Sequence, residues 1–346
     1  MKTLIHRTRA SRRATGLALA AAATTALAAT GAWAAHRARR AEQKYPPQGA
    51  VATVDGVRVH YLDRGRGTPV LLLHGNVVHA GDFLISGLVD RLAEQHRVIA
   101  CDRAGFGHST RPRDRLWTAG AQAELVHHLC TQLGIKRPIV LGHSWGTLVA
   151  LELALRADLA VERLVLMSGY YFPTARLDAA LAAPQAVPVI GDVMRYTVSA
   201  IMARLLLNRT VKAMFAPQPV PRDFVAALAR ELLVRPAQIR ANAEDAAFMV
   251  PAAAALRRRY HELQIPTAIF AGAADTIADP DTHARELHRE LANSELYVLP
   301  GVGHMVHHAV PEQVAAAVTS HQLESTPHVG SAYDRLTRVA SNGRRR

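Results

Sequence analysis

Gly142-His143-Ser144-Trp145-Gly146 sets a hydroxyl between two glycines. A serine at the tip of a very sharp turn needs neighbours without side chains two residues away on either side. An apolar run, Pro138–Leu141, leads in, and a helix-like run, Thr147–Arg156, leads out. A helix starting there aims its first N–H groups at any oxyanion formed beside Ser144. The hydroxyl is a poor nucleophile until a base takes its proton, and that base needs an acid to hold its tautomer. Asp275 sits just past the apolar run Ile265–Gly272, at the strand end where binding groups collect in parallel sheets. His304 follows the run Glu295–Leu299, in a Gly301-Val302-Gly303-His304 turn that lets the ring swing inward. The rivals have other roles: His307 and His308 sit deeper in the next segment, and Asp279 and Asp281 flank a helix entry at Pro280, suited to capping or solvation. Attack on a carbonyl leaves an oxyanion that needs two N–H donors. The backbone of Trp145 supplies one, and Asn76, after His74-Gly75, supplies the other. His74 is assigned to holding that loop. The residues together read as acyl hydrolysis through a covalent serine intermediate. No metal and no organic cofactor is expected, because the chain has neither ligand spacing nor a phosphate-binding glycine loop.

The elements that must position these groups follow from hydrophobic period. Val51–Val54 and Val57–Leu62 alternate around Asp55-Gly56, a hairpin signal. Val70–Leu73, Arg97–Cys101, the run before Ser144, Arg163–Met167, Ile265–Gly272 and Glu295–Leu299 read as buried strands. Helical patterns fall between them over Asp82–Gln95, Ala119–Leu133, Thr147–Arg156, Thr282–Leu291 and Pro311–Ser320. Strands alternating with helices predict an α/β fold, a mostly parallel doubly wound sheet covered on both faces. The rhythm stops over residues 173–261. Helical patterns at Gly191–Asn208, Pro221–Val234 and Pro236–Tyr260 there predict a helical cap inserted into a core of residues 50–172 and 262–320.

The chain resembles the α/β-hydrolase superfamily, in its cap-bearing branch of esterases, carbon–carbon bond hydrolases, cofactor-free haloperoxidases and epoxide hydrolases. The resemblance is carried by His74-Gly75-Asn76, Asp102–Ser109, Gly142–Gly146, Asp275 and Gly303-His304 over roughly residues 50–320. Their order, Ser144, Asp275, His304, is that of the family. The resemblance implies a Ser-His-Asp triad and a structural role for the Asp102–Ser109 loop, but it carries no substrate. The leading expectation is a small or medium apolar ester or a related acyl compound. Asn76 with Trp145 also resembles the halide-holding pair of haloalkane dehalogenases. Those enzymes, like epoxide hydrolases, use an aspartate where this chain has Ser144, so both activities are set aside. A Ser-Trp-Gly elbow is shared with proline iminopeptidases, whose Gly-Gly-Pro oxyanion loop is absent here. The same triad also serves carbon–carbon bond cleavage or perhydrolysis, and a pocket that has lost turnover would leave a non-catalytic, membrane-tethered binding protein.

Charge and cysteine usage limit the rest. The net charge of +13 lies mostly at the two ends of the 346-residue chain. Residues 1–44 carry a net +8 and residues 321–346 a net +3, which leaves a nearly neutral body and no nucleic-acid footprint. Two cysteines, Cys101 and Cys130, make no disulfide framework and read as small buried apolar residues. Residues 14–35 are uncharged and long enough to span a bilayer, with basic residues on both sides. A signal peptide cleaved after Ala32-Trp33-Ala34 is one reading, with Ser11-Arg12-Arg13 similar to a twin-arginine start. Arg37, Arg39 and Arg40, just past that point, disfavour processing and favour an uncleaved anchor. The five-to-four split of flanking basic residues barely decides orientation, and the catalytic part is expected outside the cytoplasm. Residues 41–50 read as a polar linker, and residues from His321 onward as a disordered basic tail.

Overall fold

The computed structural model describes residues 2–175 and 184–319, with side chains over 15–175 and 184–318. The tail 321–346 lies outside the described residues. Eight strands form one sheet: β1 (Ala50–Val54), β2 (Val57–Arg64), β3 (Thr68–Leu73), β4 (His96–Cys101), β5 (Ile139–His143), β6 (Arg163–Met167), β7 (Thr267–Gly272) and β8 (Ser294–Leu299). Their order is β1-β2-β4-β3-β5-β6-β7-β8. β1 and β2 pair antiparallel, as do β2 and β4, and the remaining pairs are parallel. Asp55 and Gly56 both have positive φ (49° and 78°), the backbone that a tight two-residue hairpin turn demands.

Alternation across the sheet divides the core in two. Leu71 and Leu73 of β3 point into one cluster while Val70 and Leu72 point into the other. A sheet buried on both faces explains why these strands read as unbroken apolar runs. Cys101 and Cys130 are free and buried.

Several predicted helices are divided. Asp82–Gln95 is two short helices, Gly81–Ile85 and Leu88–Ala93, separated at Gly87, whose φ is +76°. Ala119–Gln132 is helix α2, capped by the Thr118 hydroxyl, and Gly146–Ala154 is helix α3. Between β6 and β7, which are neighbours in the sheet, the described residues contain helices and no strand. Gly191–Asn208 becomes α4 (Ile190–Tyr196) and α5 (Val198–Phe215), which part at Thr197 (φ −122°, ψ −103°). Pro221–Val234 becomes two single turns, Phe224–Ala227 and Arg230–Leu233. α6 (Pro236–Arg257) runs unbroken through Pro251.

The predicted linker begins later than its composition suggests, because helix α1 spans Lys2–Lys44. By length and composition α1 can cross a membrane. Its C-terminal third lies on the inserted helices. Ala34 and Ala41 are buried there, Arg37 pairs with Glu231 at 2.7 Å, and Glu42 pairs with Arg235 at 2.8 Å. The Arg204 guanidinium sits 4.7 Å from the centre of the Trp33 ring.

Candidate active site

β5 runs into the turn at Ser144, whose φ of +52° is left-handed and costly for a residue with a Cβ. Hydrogen bonds hold it there: Ser144 N donates to Met167 O (2.9 Å), and Thr147 N donates to Ser144 O (3.0 Å). The flanking glycines are steric requirements. A Cβ on Gly142 would lie 2.7 Å from Thr147 Cα, and one on Gly146 would lie 2.2 Å from Leu73 O.

His304 and Asp275 meet from the ends of β8 and β7. His304 Nδ1 is 2.8 Å from Asp275 Oδ2, and Asp275 Oδ1 accepts from the N–H groups of Ile277 (2.8 Å) and Ala278 (3.0 Å). Burial works to raise the Asp275 pKa. The His304 charge, its hydrogen bond and the two backbone donors outweigh burial and hold the carboxyl below the usual aspartate range. An ionised carboxylate only accepts, so His304 Nδ1 carries the proton and Nε2 is left as the basic nitrogen. His143, the residue before Ser144, packs its ring 5.1 Å from that of His304 and lies 3.1 Å from His304 O through Nε2. Among the described residues no hydrogen bond joins Ser144 to His304. Such contacts often close only when substrate is bound.

The loop after β3 lies against the serine: a Cβ on Gly75 would stand 2.9 Å from Ser144 Cβ. Among the described residues neither the Asn76 nor the Trp145 backbone N–H has a protein acceptor, so both are free to meet an anion. His74 fixes this loop. Its Nε2 accepts from Arg103 N (3.0 Å) and its Nδ1 lies 2.7 Å from Gly75 O. Burial, helped by the Arg103 charge, lowers its pKa to about 3, so the ring stays neutral. The Asp102–Ser109 loop is built round the Asp102 carboxylate, which accepts from Ala80 N (2.9 Å) and His108 N (2.8 Å) and meets His60 Nδ1 at 2.7 Å. Gly107 (φ +47°) passes so close to that carboxylate that a Cβ there would stand 2.0 Å from Oδ2.

Sequence reasoning missed two buried hubs. Arg103 donates to His74 O, Gly75 O, Asn76 Oδ1 and Gln122 Oε1, and it pairs with Asp245 of α6 at 2.6 Å. The Asn76 side-chain oxygen is therefore occupied while its backbone N–H is not. Asp82 meets His307 Nε2 at 2.9 Å and His308 Nε2 at 2.7 Å, which fastens the segment after His304 to the helix Gly81–Ile85. Asp82, His143 and His307 offer ligand atoms within 4.8 Å of one another, close enough for a cation, although His307 and His308 already satisfy the carboxylate. Asp279 caps Thr282 through both N and Oγ1, and Asp281 pairs with Arg285 at the surface.

Residues 68–309 match the alpha/beta hydrolase fold family, and the chain belongs to it. A haloalkane dehalogenase 2 of Mycobacterium tuberculosis is 26% identical over 272 residues, which cover 75% of this chain and 90% of that protein. A 2-hydroxymuconate semialdehyde hydrolase of Pseudomonas putida is 37% identical over 150 residues, 40% of this chain and 51% of that one. The fold is also that of an enol-lactonase from Burkholderia xenovorans, with a TM-score of 0.66, 21% identity and coverage of 78% and 100%. Hydrolysis of small molecules is thus the class of activity that its relatives define.

Proposed function

We propose that the protein is a serine hydrolase that cleaves an apolar carboxylic ester, or a related acyl compound, beside a membrane in which α1 is anchored. The observation that carries this reading is the convergence at one rim of Ser144 in its strained turn, the Asp275–His304 pair at 2.8 Å, and two unpartnered backbone N–H groups. His304 Nε2 takes the Ser144 proton as Oγ attacks the carbonyl carbon. Asp275 keeps the ring in the tautomer that makes this possible and stabilises the imidazolium. The N–H groups of Asn76 and Trp145 receive the oxyanion. Collapse expels the alcohol, which takes its proton from His304, and water deprotonated by the same ring then releases the acid. Residues 173–261 act as the cap over the core formed by 50–172 and 262–320.

Halide binding by Asn76 and Trp145 is disfavoured by Ser144 and by the Trp145 indole N–H, which already donates to Asp245 O at 2.9 Å. The hydrolase relative from Pseudomonas keeps carbon–carbon bond cleavage as a second reading of the same residues. A fluorophosphonate probe tests the proposal: it labels the wild-type chain and not Ser144→Ala, which also loses roughly 10⁵–10⁶ in kcat. Folded protein that stays unlabelled would sink it. Esters and vinylogous diketones assayed side by side separate the two substrate readings.

A further inference from the structure

The described part of the inserted helices leaves a broad apolar face bare. On α4, Ile190 and Val193 are exposed, and on α5, Val198, Ile201 and Leu205 follow at helical spacing, Leu205 with 70% of its surface open. Soluble proteins seldom leave such a patch uncovered. The face is also the mouth of a cavity. Val198, Met202 and Leu206 are exposed on it and at the same time line an apolar space of about 370 Å³, whose inner wall includes Val77 and Asn242. Asn242 Oδ1 accepts from Val77 N, next to Asn76 in the loop that lies against Ser144. The cavity thus reaches the loop that lies against Ser144, although Ser144, Asp275 and His304 do not line it.

What covers this face is given by α1. Residues 15–29 of α1 are exposed all round, and burial begins at Thr30 and Gly31, where an added Cβ would stand 3.9 Å from Tyr196 at the end of α4. The uncharged stretch ends at Ala35. One unbroken helix is thus both candidate membrane span and strut, with no linker between the two parts. If residues 15–30 lie in lipid, the bare face beside Tyr196 sits at the lipid surface. Arg209 and Lys212, exposed further along α5, are placed to meet anionic headgroups.

We infer that the α4–α5 face seats on the bilayer that α1 enters, so that substrate passes from lipid into the cavity. The substrate class is then an acyl compound dissolved in the membrane, not one drawn from water. This rests on the anchored serine-hydrolase reading, and its test separates the two. Cys101 and Cys130 are buried, so an added surface cysteine takes an environment-sensitive fluorophore selectively. The full chain, carrying Leu205→Cys or Leu19→Cys, is reconstituted into phosphatidylcholine–phosphatidylglycerol vesicles containing brominated lipid. Quenching and a blue shift at both positions are expected. Quenching at 19 with a water-like spectrum at 205 overturns the seating and leaves the anchor intact. No quenching at 19 overturns the anchor and the seating with it. A blue shift at 205 that follows protein concentration rather than lipid assigns the face to a second copy and overturns the inference. In the activity arm, Ile201→Glu/Leu205→Glu lowers turnover of a long-chain monoacylglycerol in vesicles roughly tenfold and leaves a short, water-soluble ester within about twofold. Equal loss on both esters overturns lipid-side entry. Failure of the wild type on both esters counts against the hydrolase reading, turnover of the short ester alone overturns the membrane substrate, and the fluorescence arm still decides the seating.

Discussion

Trp145 and Asp245 lie one hundred residues apart and meet through one hydrogen bond, from the indole Nε1 to the main-chain oxygen, 2.9 Å long. The Asp245 carboxylate simultaneously pairs with Arg103 (2.6 Å) and Arg111 (3.0 Å) and accepts from Gln122 (3.0 Å). A single residue of α6 therefore ties the inserted helices to the residue after Ser144 and to the loop that holds Asn76.

Removing that carboxylate takes the ion-pair partner from the buried Arg103 guanidinium and leaves Arg111 with Glu244 alone. Asp245→Asn is expected to cost ~3–5 kcal/mol of unfolding free energy. A urea titration followed by circular dichroism measures it, and an unchanged midpoint would show that the network is not needed for stability.

Asp275→Asn tests the acid directly. The amide can present its N–H to His304 Nδ1 and select the wrong tautomer, so kcat is expected to fall about 10⁴-fold with a folded protein and little change in KM. The sign of its pH effect follows from a native pKa below the ordinary value. Stability from Asp275 is complete above about pH 4, where the unfolded aspartate is already ionised, and is lost as pH falls through the native pKa. The stability difference between wild type and variant, measured by urea unfolding at pH 6 and at pH 3, should shrink at the lower value.

His74 produces an acid limb at higher pH. Its native pKa of about 3 lies below the value of 6.5 for an exposed ring, so the unfolded chain binds the extra proton between those limits. Stability from this residue is whole above pH 6.5 and falls by ~1.4 kcal/mol for each pH unit below it. His74→Asn is expected to be less stable at neutral pH and to show a flatter slope between pH 6.5 and 4. An unchanged slope would mean that the ring is already protonated in the fold.

Gly75→Ala separates placement from stability. The added methyl group would stand 2.9 Å from Ser144 Cβ, so the loop or the serine must shift by a few tenths of an ångström. Loss of about 10–100-fold in kcat, with a melting temperature within a few degrees of wild type, is the expected result. Gly146→Ala meets the backbone oxygen of Leu73 at 2.2 Å and is expected to yield no soluble enzyme. Comparable activity in either variant would contradict the close approach seen here.

The sheet was legible because strands buried on both faces read as apolar runs between turn residues, and those runs end where Ser144, Asp275 and His304 lie. Local chemistry carried that much, since a glycine-flanked serine and a histidine after Gly-x-Gly announce their own backbone geometry. Divided helices were less legible, because the apolar period continues across Gly87 and Thr197 and only the backbone breaks. The hubs at Asp245 and Asp82 had no signal in the sequence. Their partners stand 142 and 225 residues away, and no spacing rule links a charge to a counter-charge brought beside it by packing. Sequence alone determined which groups could react, through residue type and local turn chemistry. Tertiary structure alone decided which N–H groups stay unpartnered, which buried charges are paired, and which apolar face is left bare beside α1, because each depends on what distant segments bring to the same few ångströms.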